Sequence, residues 1–386
     1  MAPVIYFDNQ ATTPTDPRVR DAMLPLLDMG GVGNPHSAHD AGRRAADEVE
    51  KARGQVARLI GAEAREIVFT SGATESNNII IQGVAGSSRR RGDHFITCAT
   101  EHKCVLEATA HLSRNGFKVD VLPVGQDGMI DVDMLKEALT DQTALVSVML
   151  ANNEIGVLQP ISEIAAVCRQ RGVLFHSDAA QAVGKIPVDV RQLGVDLLSL
   201  SAHKMYAPIG VGALFVSDES PLRPEPLFWG GKQESGLRAG TLAPHLCVAL
   251  GTAAELAASE MAADLALTGR LAERFLELVR ARIPDVRING HADRRLRSNL
   301  SLTLPGVDAD HLVGALQPLV ALSTSAACSA GVMQPSHVLL ALGLSEDDAD
   351  STIRVGFGRF NTLSEVEKAA NLLCAKALDI RAMQHT

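Results

Sequence analysis

Aromatic side chains are scarce: ten Phe, two Tyr and a single Trp make up 3% of 386 residues. A core of any size must therefore be mostly aliphatic. Positive charge is also short. The formal net charge is −9, which argues against a broad basic face, so no direct nucleic-acid binding is expected. No apolar run approaches the length of a membrane span, so no membrane association is expected. The start, Met1-Ala-Pro-Val-Ile-Tyr-Phe-Asp8, lacks a basic segment followed by an apolar stretch, so no secretory signal is visible. Six cysteines at 98, 104, 168, 247, 328 and 374 include no Cys-x-x-Cys pair and no zinc-like spacing. Free thiols in a reducing, cytoplasmic setting are the natural expectation. What is abundant is aliphatic: 46% of residues are apolar and 21% charged, enough for a sizeable core and against disorder.

From residue 66 onward apolar runs alternate with helical patterns. Strands are predicted at Glu66–Thr70, His94–Cys98, Lys118–Leu122, Leu145–Met149, Val173–His176, Asp196–Leu200 and Gly212–Val216. Helices fit at Glu75–Val84, Lys103–Ser113, Val132–Leu139 and Ile161–Arg171. Such alternation implies a mainly parallel seven-stranded sheet covered on both faces, an α/β fold. Upstream, Asp16-Pro17 reads as a helix start running to about Leu27, and a charged amphipathic helix follows over 38–59. An alanine- and leucine-rich helix over Pro244–Arg282 reads as a spine between two domains. Beyond it, strands at Leu300–Leu304 and Ile353–Phe357 mix with helices at Ala309–Leu316, His337–Leu342 and Leu363–Ile380. The expected division is a large domain over 16–259 and a smaller α+β domain formed by 1–15 and 260–386.

Polar residues cluster where strands end, which is where ligands sit in open α/β sheets. Leu197-Leu-Ser-Leu-Ser-Ala-His-Lys204 is a buried strand closing on Ser201, His203 and Lys204. A desolvated lysine there favours its neutral, nucleophilic form, which condenses with an aldehyde such as pyridoxal phosphate (PLP); a solvated loop charge is the plain alternative. Asp178 ends the strand in Val173-Leu-Phe-His-Ser-Asp178. A buried carboxylate is costly unless paired, and PLP enzymes need one against the pyridine nitrogen; a helix cap is the alternative. Gln181 follows within reach of the ring hydroxyl. Thr70-Ser-Gly-Ala-Thr74 joins a strand to a helix, so Ala73 and Thr74 mark either an anion site or an ordinary Ser/Thr cap. His102 is an acid/base candidate or a backbone-bonded histidine, and Asn152-Asn153 binds ligand or makes a turn. Arg354 alternates away from apolar Ile353 and Val355, where its planar guanidinium could clamp a carboxylate. Cys328, in Ser323-Thr-Ser-Ala-Ala-Cys-Ser-Ala-Gly331, has no helical or strand period around it, so an exposed, reactive loop thiol is expected. The other five cysteines read as small buried hydrophobes.

These motifs, with Tyr6-Phe-Asp-Asn-Gln-Ala-Thr-Thr-Pro14, Gly33-Asn-Pro-His-Ser37, Gly236-Leu-Arg-Ala-Gly-Thr241 and Gln334-Pro-Ser-His-Val-Leu339, make the chain resemble the cysteine desulfurases, PLP enzymes of the class V aminotransferase family with the type I transferase fold. The resemblance runs from Tyr6 to about Phe360. It implies that Lys204 holds PLP covalently, Asp178 pairs with its ring nitrogen, and His102 stacks on the ring and relays protons. Gln181 and Asn153 are implied near the ring hydroxyl, Ala73, Thr74, Ser201 and His203 at the phosphate, and Thr241 at the phosphate of a partner subunit in a homodimer. Asn34, Asn153 and Arg354 are implied to hold substrate. The implied reaction takes L-cysteine to L-alanine and leaves a persulfide on Cys328, whose sulfur passes to an acceptor protein, either an iron–sulfur scaffold or a thio-modification enzyme. No metal site is implied beyond transient ligation of an iron–sulfur cluster by Cys328. Asn9-Gln10, and Ser after Cys328, depart conservatively from the family's commonest pattern. Two other readings share the fold: a PLP lyase such as selenocysteine lyase, whose activity survives loss of Cys328, and a non-catalytic sulfur-transfer partner, against which the presence of Lys204 and Asp178 counts.

Overall fold

The computed structural model describes residues 4–324, 327–329 and 332–384, with backbone alone at 29, 327–329, 332–333 and 384. All seven predicted strands form and join one sheet. In spatial order they are Ile67–Thr70, Gly212–Val216, Leu197–Ser201, Leu174–Asp178, Thr143–Ser147, His94–Cys98 and Lys118–Leu122. Gly212–Val216 runs antiparallel to both neighbours, and the other pairings are parallel. Six of the seven are buried along their whole length. This explains why they read as continuous apolar runs rather than alternating ones. Lys118–Leu122, at one edge, is half exposed.

Each face of the sheet has its own aliphatic layer. On one, Ile96, Val146, Phe175, Leu198 and Phe215 pack with Val49 and Val56 of the helix Asp40–Leu59, with Ile60 just past its end, and with Ala249, Leu250 and Ala254 of the helix Pro244–Arg282. On the other, Phe95, Leu145, Leu174 and Leu214 pack with Ile80, Val84, Val105 and Leu112 of the helices Ala73–Gly86 and Lys103–Arg114. Burying a side chain of this size contributes roughly 1.5–3 kcal/mol, so the sheet is the most strongly held part of the chain.

A second core lies around a four-stranded antiparallel sheet, ordered Ser323–Thr324, Thr352–Gly356, Asn299–Thr303 and Arg287–Ile288. It takes in Leu271, Phe275 and Val279 from the far half of the helix Pro244–Arg282, so this helix serves both cores. The N-terminal strand Ile5–Tyr6 pairs in parallel with Val320–Ala321, and Ile5 and Phe7 enter the second core. Three of the ten phenylalanines meet here: Phe7, Phe275 and Phe357 pack with ring centroids 5.0–6.1 Å apart.

Three expectations need correction. The first helix stops at Met23 and continues as a tighter turn over Leu24–Leu26, because Pro25 cannot donate to the helical ladder. The helix Pro244–Arg282 is, by length and composition, apolar enough to cross a membrane, with a mean hydropathy of 1.3 in its best window. Few charges interrupt its alanines, and several of those alanines are buried against the sheet. The segment expected as an unpaired loop around Cys328 contains a β-hairpin. Ala327–Ser329 pairs antiparallel with Val332–Gln334, placing Cys328 opposite Met333. Two strands of three residues each, Ala-Cys-Ser and Val-Met-Gln, are too short to show a hydrophobic period, so the pattern was invisible in sequence.

Candidate active site

The C-terminal ends of the parallel strands converge on a cavity of about 440 Å³. Lys204 enters it from the tight turn Ala202–Lys204 that follows the strand Leu197–Ser201. Its Nζ donates to the carbonyls of Gln10, at 2.5 Å, and Ala11, at 2.6 Å. Burial, then the Arg354 charge, push the pKa of Lys204 down to about 8, against the opposing pull of Asp8 and Asp178. At neutral pH a usable fraction of the amine is therefore unprotonated.

Asp178 is the last residue of its strand and 4% exposed. Its Oδ2 accepts from Asn77 Nδ2 at 2.7 Å and its Oδ1 from the Ala180 N–H at 2.9 Å. Among the described residues no lysine, arginine or histidine forms an ion pair with it within 4 Å, so the carboxylate faces the cavity with neutral donors only. Gln181 donates from Nε2 to the Gln10 carbonyl at 2.9 Å and accepts at Oε1 from Lys185 Nζ at 2.7 Å.

The opposite end of the cavity suits an anion. The helix Ala73–Gly86 begins at Gly72 without any side-chain cap, so its first N–H groups are open. Gly72 has φ +152, and a Cβ on it would lie 3.7 Å from Ser201 Oγ. A Cβ on Gly212 would stand 2.6 Å from the Gly72 Cα. Side chains are thus excluded, and backbone and hydroxyl form the surface. His203 stands beside it, its Nδ1 3.2 Å from Thr12 Oγ1. Burial first, then Lys204 and Lys185, push its pKa down to about 4, so it is neutral at pH 7.

His102 caps the helix Lys103–Arg114. Its Nδ1 accepts the Cys104 N–H at 3.2 Å and lies 3.0 Å from Cys104 Sγ. Cys104 Sγ also receives Asn77 Nδ2 at 3.2 Å, and burial pushes its pKa up to about 12. It was read as a packing residue; in fact it lines the cavity as an un-ionised thiol. Behind His102, Glu101 is fully buried and accepts the Met149 N–H at 2.5 Å, and burial pushes its pKa well above the usual carboxylate range. Arg354 reaches across from the smaller sheet. It donates to Asp8 Oδ1 at 2.9 Å and to the Asn153 carbonyl at 3.2 Å, and its buried Nε has no partner.

Of the residues singled out in sequence, Lys204, Asp178, His102, Gln181, Asn153, Ala73, Thr74, Ser201, His203 and Arg354 all line this one cavity. Asn34 and Thr241 do not; both sit exposed on loops away from it. Cys328 lies on the hairpin, and its side chain is outside the described residues. Sequence reasoning missed Asn77, Cys104 and the Gln10 and Ala11 carbonyls.

A doubly covered parallel sheet with a desolvated lysine, a cation-free carboxylate and an open helix N-terminus at its strand ends defines the lysine-centred transferase class. The class V aminotransferase family model matches residues 5–369. A cysteine desulfurase IscS from Rickettsia bellii is 49% identical over 98% of this chain and 92% of its own. Among solved structures, a NifS-like protein superposes with a TM-score of 0.90 at 34% identity, covering 97% of this chain and 99% of its own. SspA in complex with cysteine gives 0.81 at 35% identity, covering 93% and 100%. The chain belongs to the class V aminotransferase family, in its cysteine desulfurase group, whose members depend on PLP.

Proposed function

We propose that this protein is a PLP-dependent cysteine desulfurase: it converts L-cysteine to L-alanine and takes the sulfur on Cys328. The observation that carries the reading is the pairing of Lys204, its pKa lowered to about 8, with the cation-free Asp178 carboxylate in one cavity. The residues fit the cofactor in three places. The open helix N-terminus with Ala73, Thr74, Ser201 and His203 suits a phosphate, the Asp178 carboxylate suits a protonated ring nitrogen, and the Lys204 amine suits an aldehyde. Bound there, PLP supplies an electron sink for the substrate's Cα.

The chain's own groups do the rest. Asp178 holds the ring-nitrogen proton, and Asn77 and Ala180 orient the carboxylate that does so. Gln181 and Asn153 contact the ring hydroxyl region. Lys204 and His102 carry protons beside the substrate carbon. Arg354 holds the substrate carboxylate and exchanges part of its Asp8 contact for it. The Cys328 thiolate attacks the cysteine sulfur. The S–S bond forms as the Cβ–S bond breaks, the electron pair stays on carbon, and a proton completes alanine. The persulfide sulfur then passes to an acceptor protein thiol, on an iron–sulfur scaffold or a thio-modification enzyme. A solved relative in complex with cysteine supports the substrate.

The active unit is a homodimer on this reading. Ile209 at the cavity mouth is 72% exposed, Phe228 68% and Trp229 82%. Exposed apolar side chains of this size suit a second copy, whose Thr241 would complete the phosphate cup. The five described cysteines are free thiols, which supports a cytoplasmic setting. Hydride trapping of the cofactor, followed by peptide mass analysis, tests the core of the proposal. The cofactor mass is expected on the peptide holding Lys204; its appearance on any other lysine overturns the assignment.

A further inference from the structure

We propose that Lys185 is a positioning residue for the cavity: its ammonium fixes which end of the Gln181 amide faces the bound ring. The inference rests on the PLP reading above. Lys185 Nζ donates to Gln181 Oε1 at 2.7 Å, and Gln181 Nε2 donates to the Gln10 carbonyl at 2.9 Å. The two contacts select the same orientation. In its ammonium form Lys185 only donates, and a carbonyl only accepts. Rotating the amide by half a turn would set donor against donor at Lys185 and acceptor against acceptor at Gln10. The same Gln10 carbonyl also accepts from Lys204 Nζ at 2.5 Å. One carbonyl therefore ties the locked amide to the reactive amine, and the amide hydrogens stay on the cavity side.

Lys185 is an expensive residue to keep here. Among the described residues it has no carboxylate within ion-pair distance, and Lys204 and Arg354 both repel its charge. Burial and these neighbours push its pKa down to about 7. Even a half-buried cation without a counterion is costly; a donor fixing the amide accounts for its presence. The charged groups around this network are Lys204, Arg354, Asp8 and Asp178, with His203 as a further titratable group.

The test is an absorbance titration of the lysine-bound chromophore in the holoenzyme, for wild type, K185M, K185R, Q181L and the Q181L/K185M pair. An amide N–H facing the ring oxygen stabilises its anion. K185M is therefore expected to raise the titration midpoint by about one pH unit. Q181L should shift it equally, and the pair no further than Q181L alone. K185R should stay at the wild-type midpoint. A K185M midpoint equal to wild type overturns the proposal. So does full additivity in the pair, which would mean that Lys185 acts through its charge alone. If K185M does not fold, K185Q replaces it, since a side-chain amide can accept as well as donate and so releases the lock; K185Q is then expected to shift and an unshifted K185Q overturns the proposal. A wild type that forms no Lys204-bound chromophore overturns both this proposal and the PLP reading, whereas a normal chromophore with unshifted variants overturns this proposal alone.

Discussion

The cavity and the Cys328 hairpin are built on opposite principles. Lys204 and Asp178 stand at the ends of strands buried along their length and hydrogen-bonded on both sides. Cys328 stands on one of two three-residue strands that, among the described residues, pair only with each other. An isolated two-stranded hairpin is marginally stable at best. Its flanks are tied to the cavity walls instead. Ser323 Oγ donates to Asp8 at 2.8 Å before it. After it, Ser336 bonds Glu154, and His337 Nε2 donates to the Glu101 carbonyl at 2.9 Å. The difference fits the two tasks proposed for these residues. Holding an electron sink and a proton needs fixed geometry, while a thiol that takes sulfur in one place and delivers it in another needs an arm outside the sheets.

That contrast can be broken at either end. The largest effect is expected on the rigid side. Asp178→Asn removes the carboxylate and should lower alanine formation by about 10²–10⁴-fold, measured by steady-state turnover, with the fold intact by circular dichroism. An effect below tenfold would mean that the strand-end carboxylate does not serve the chemistry.

A second test reads the cost of burying the lysine. The pKa of Lys204 falls from 10.5 to about 8 in the folded chain. Below pH 8 the lysine is charged in both folded and unfolded states, so the full penalty applies. Between pH 8 and 10.5 the unfolded state binds the extra proton, so stability rises with pH. Apoprotein should therefore gain on the order of 2 kcal/mol across that window relative to Lys204→Met, allowing for partial solvent screening. Denaturant titrations at pH 7.5 and 10.5 measure this, and a flat difference would show that the amine is not desolvated.

The smallest effect is expected at the tether. His337→Leu removes one hydrogen bond between the hairpin's flank and the Glu101 turn. Persulfide formation on Cys328 should slow by about fivefold, while the cofactor chromophore stays unchanged. Equal loss of both would place His337 in the cavity's framework rather than in the arm's anchorage.

What was legible in the sequence divides along the same line. Buried parallel strands read as continuous apolar runs, so the sheet and the residues at its strand ends stood out. Lys204, Asp178 and Gln181 follow such runs directly. Backbone ligands leave no side-chain signature, so the Gln10 and Ala11 carbonyls that hold Lys204 were not visible. Asn77 sits one residue beyond Ser76 on the inner face of a helix whose neighbours Ile79 and Ile80 are core; a polar residue on that face was the available signal. Cys104 was passed over because the first turn of a helix reads as packing, although the first turn after a strand end faces the ligand. Asn34 and Thr241 are exposed within one chain, and no single-chain reasoning assembles them. The hairpin's three-residue strands are too short to carry a period.

The most direct measurement is single-turnover reaction of the PLP-loaded enzyme with L-cysteine, for wild type and Cys328→Ser, reading alanine and the mass of the peptide that holds residue 328. The account predicts one alanine and one added sulfur atom on Cys328 per wild-type site, and neither product in the variant, with both proteins showing the same chromophore. Equal alanine from the two proteins, with no sulfur on Cys328, would contradict it and favour a lyase that releases its heteroatom without a protein thiol.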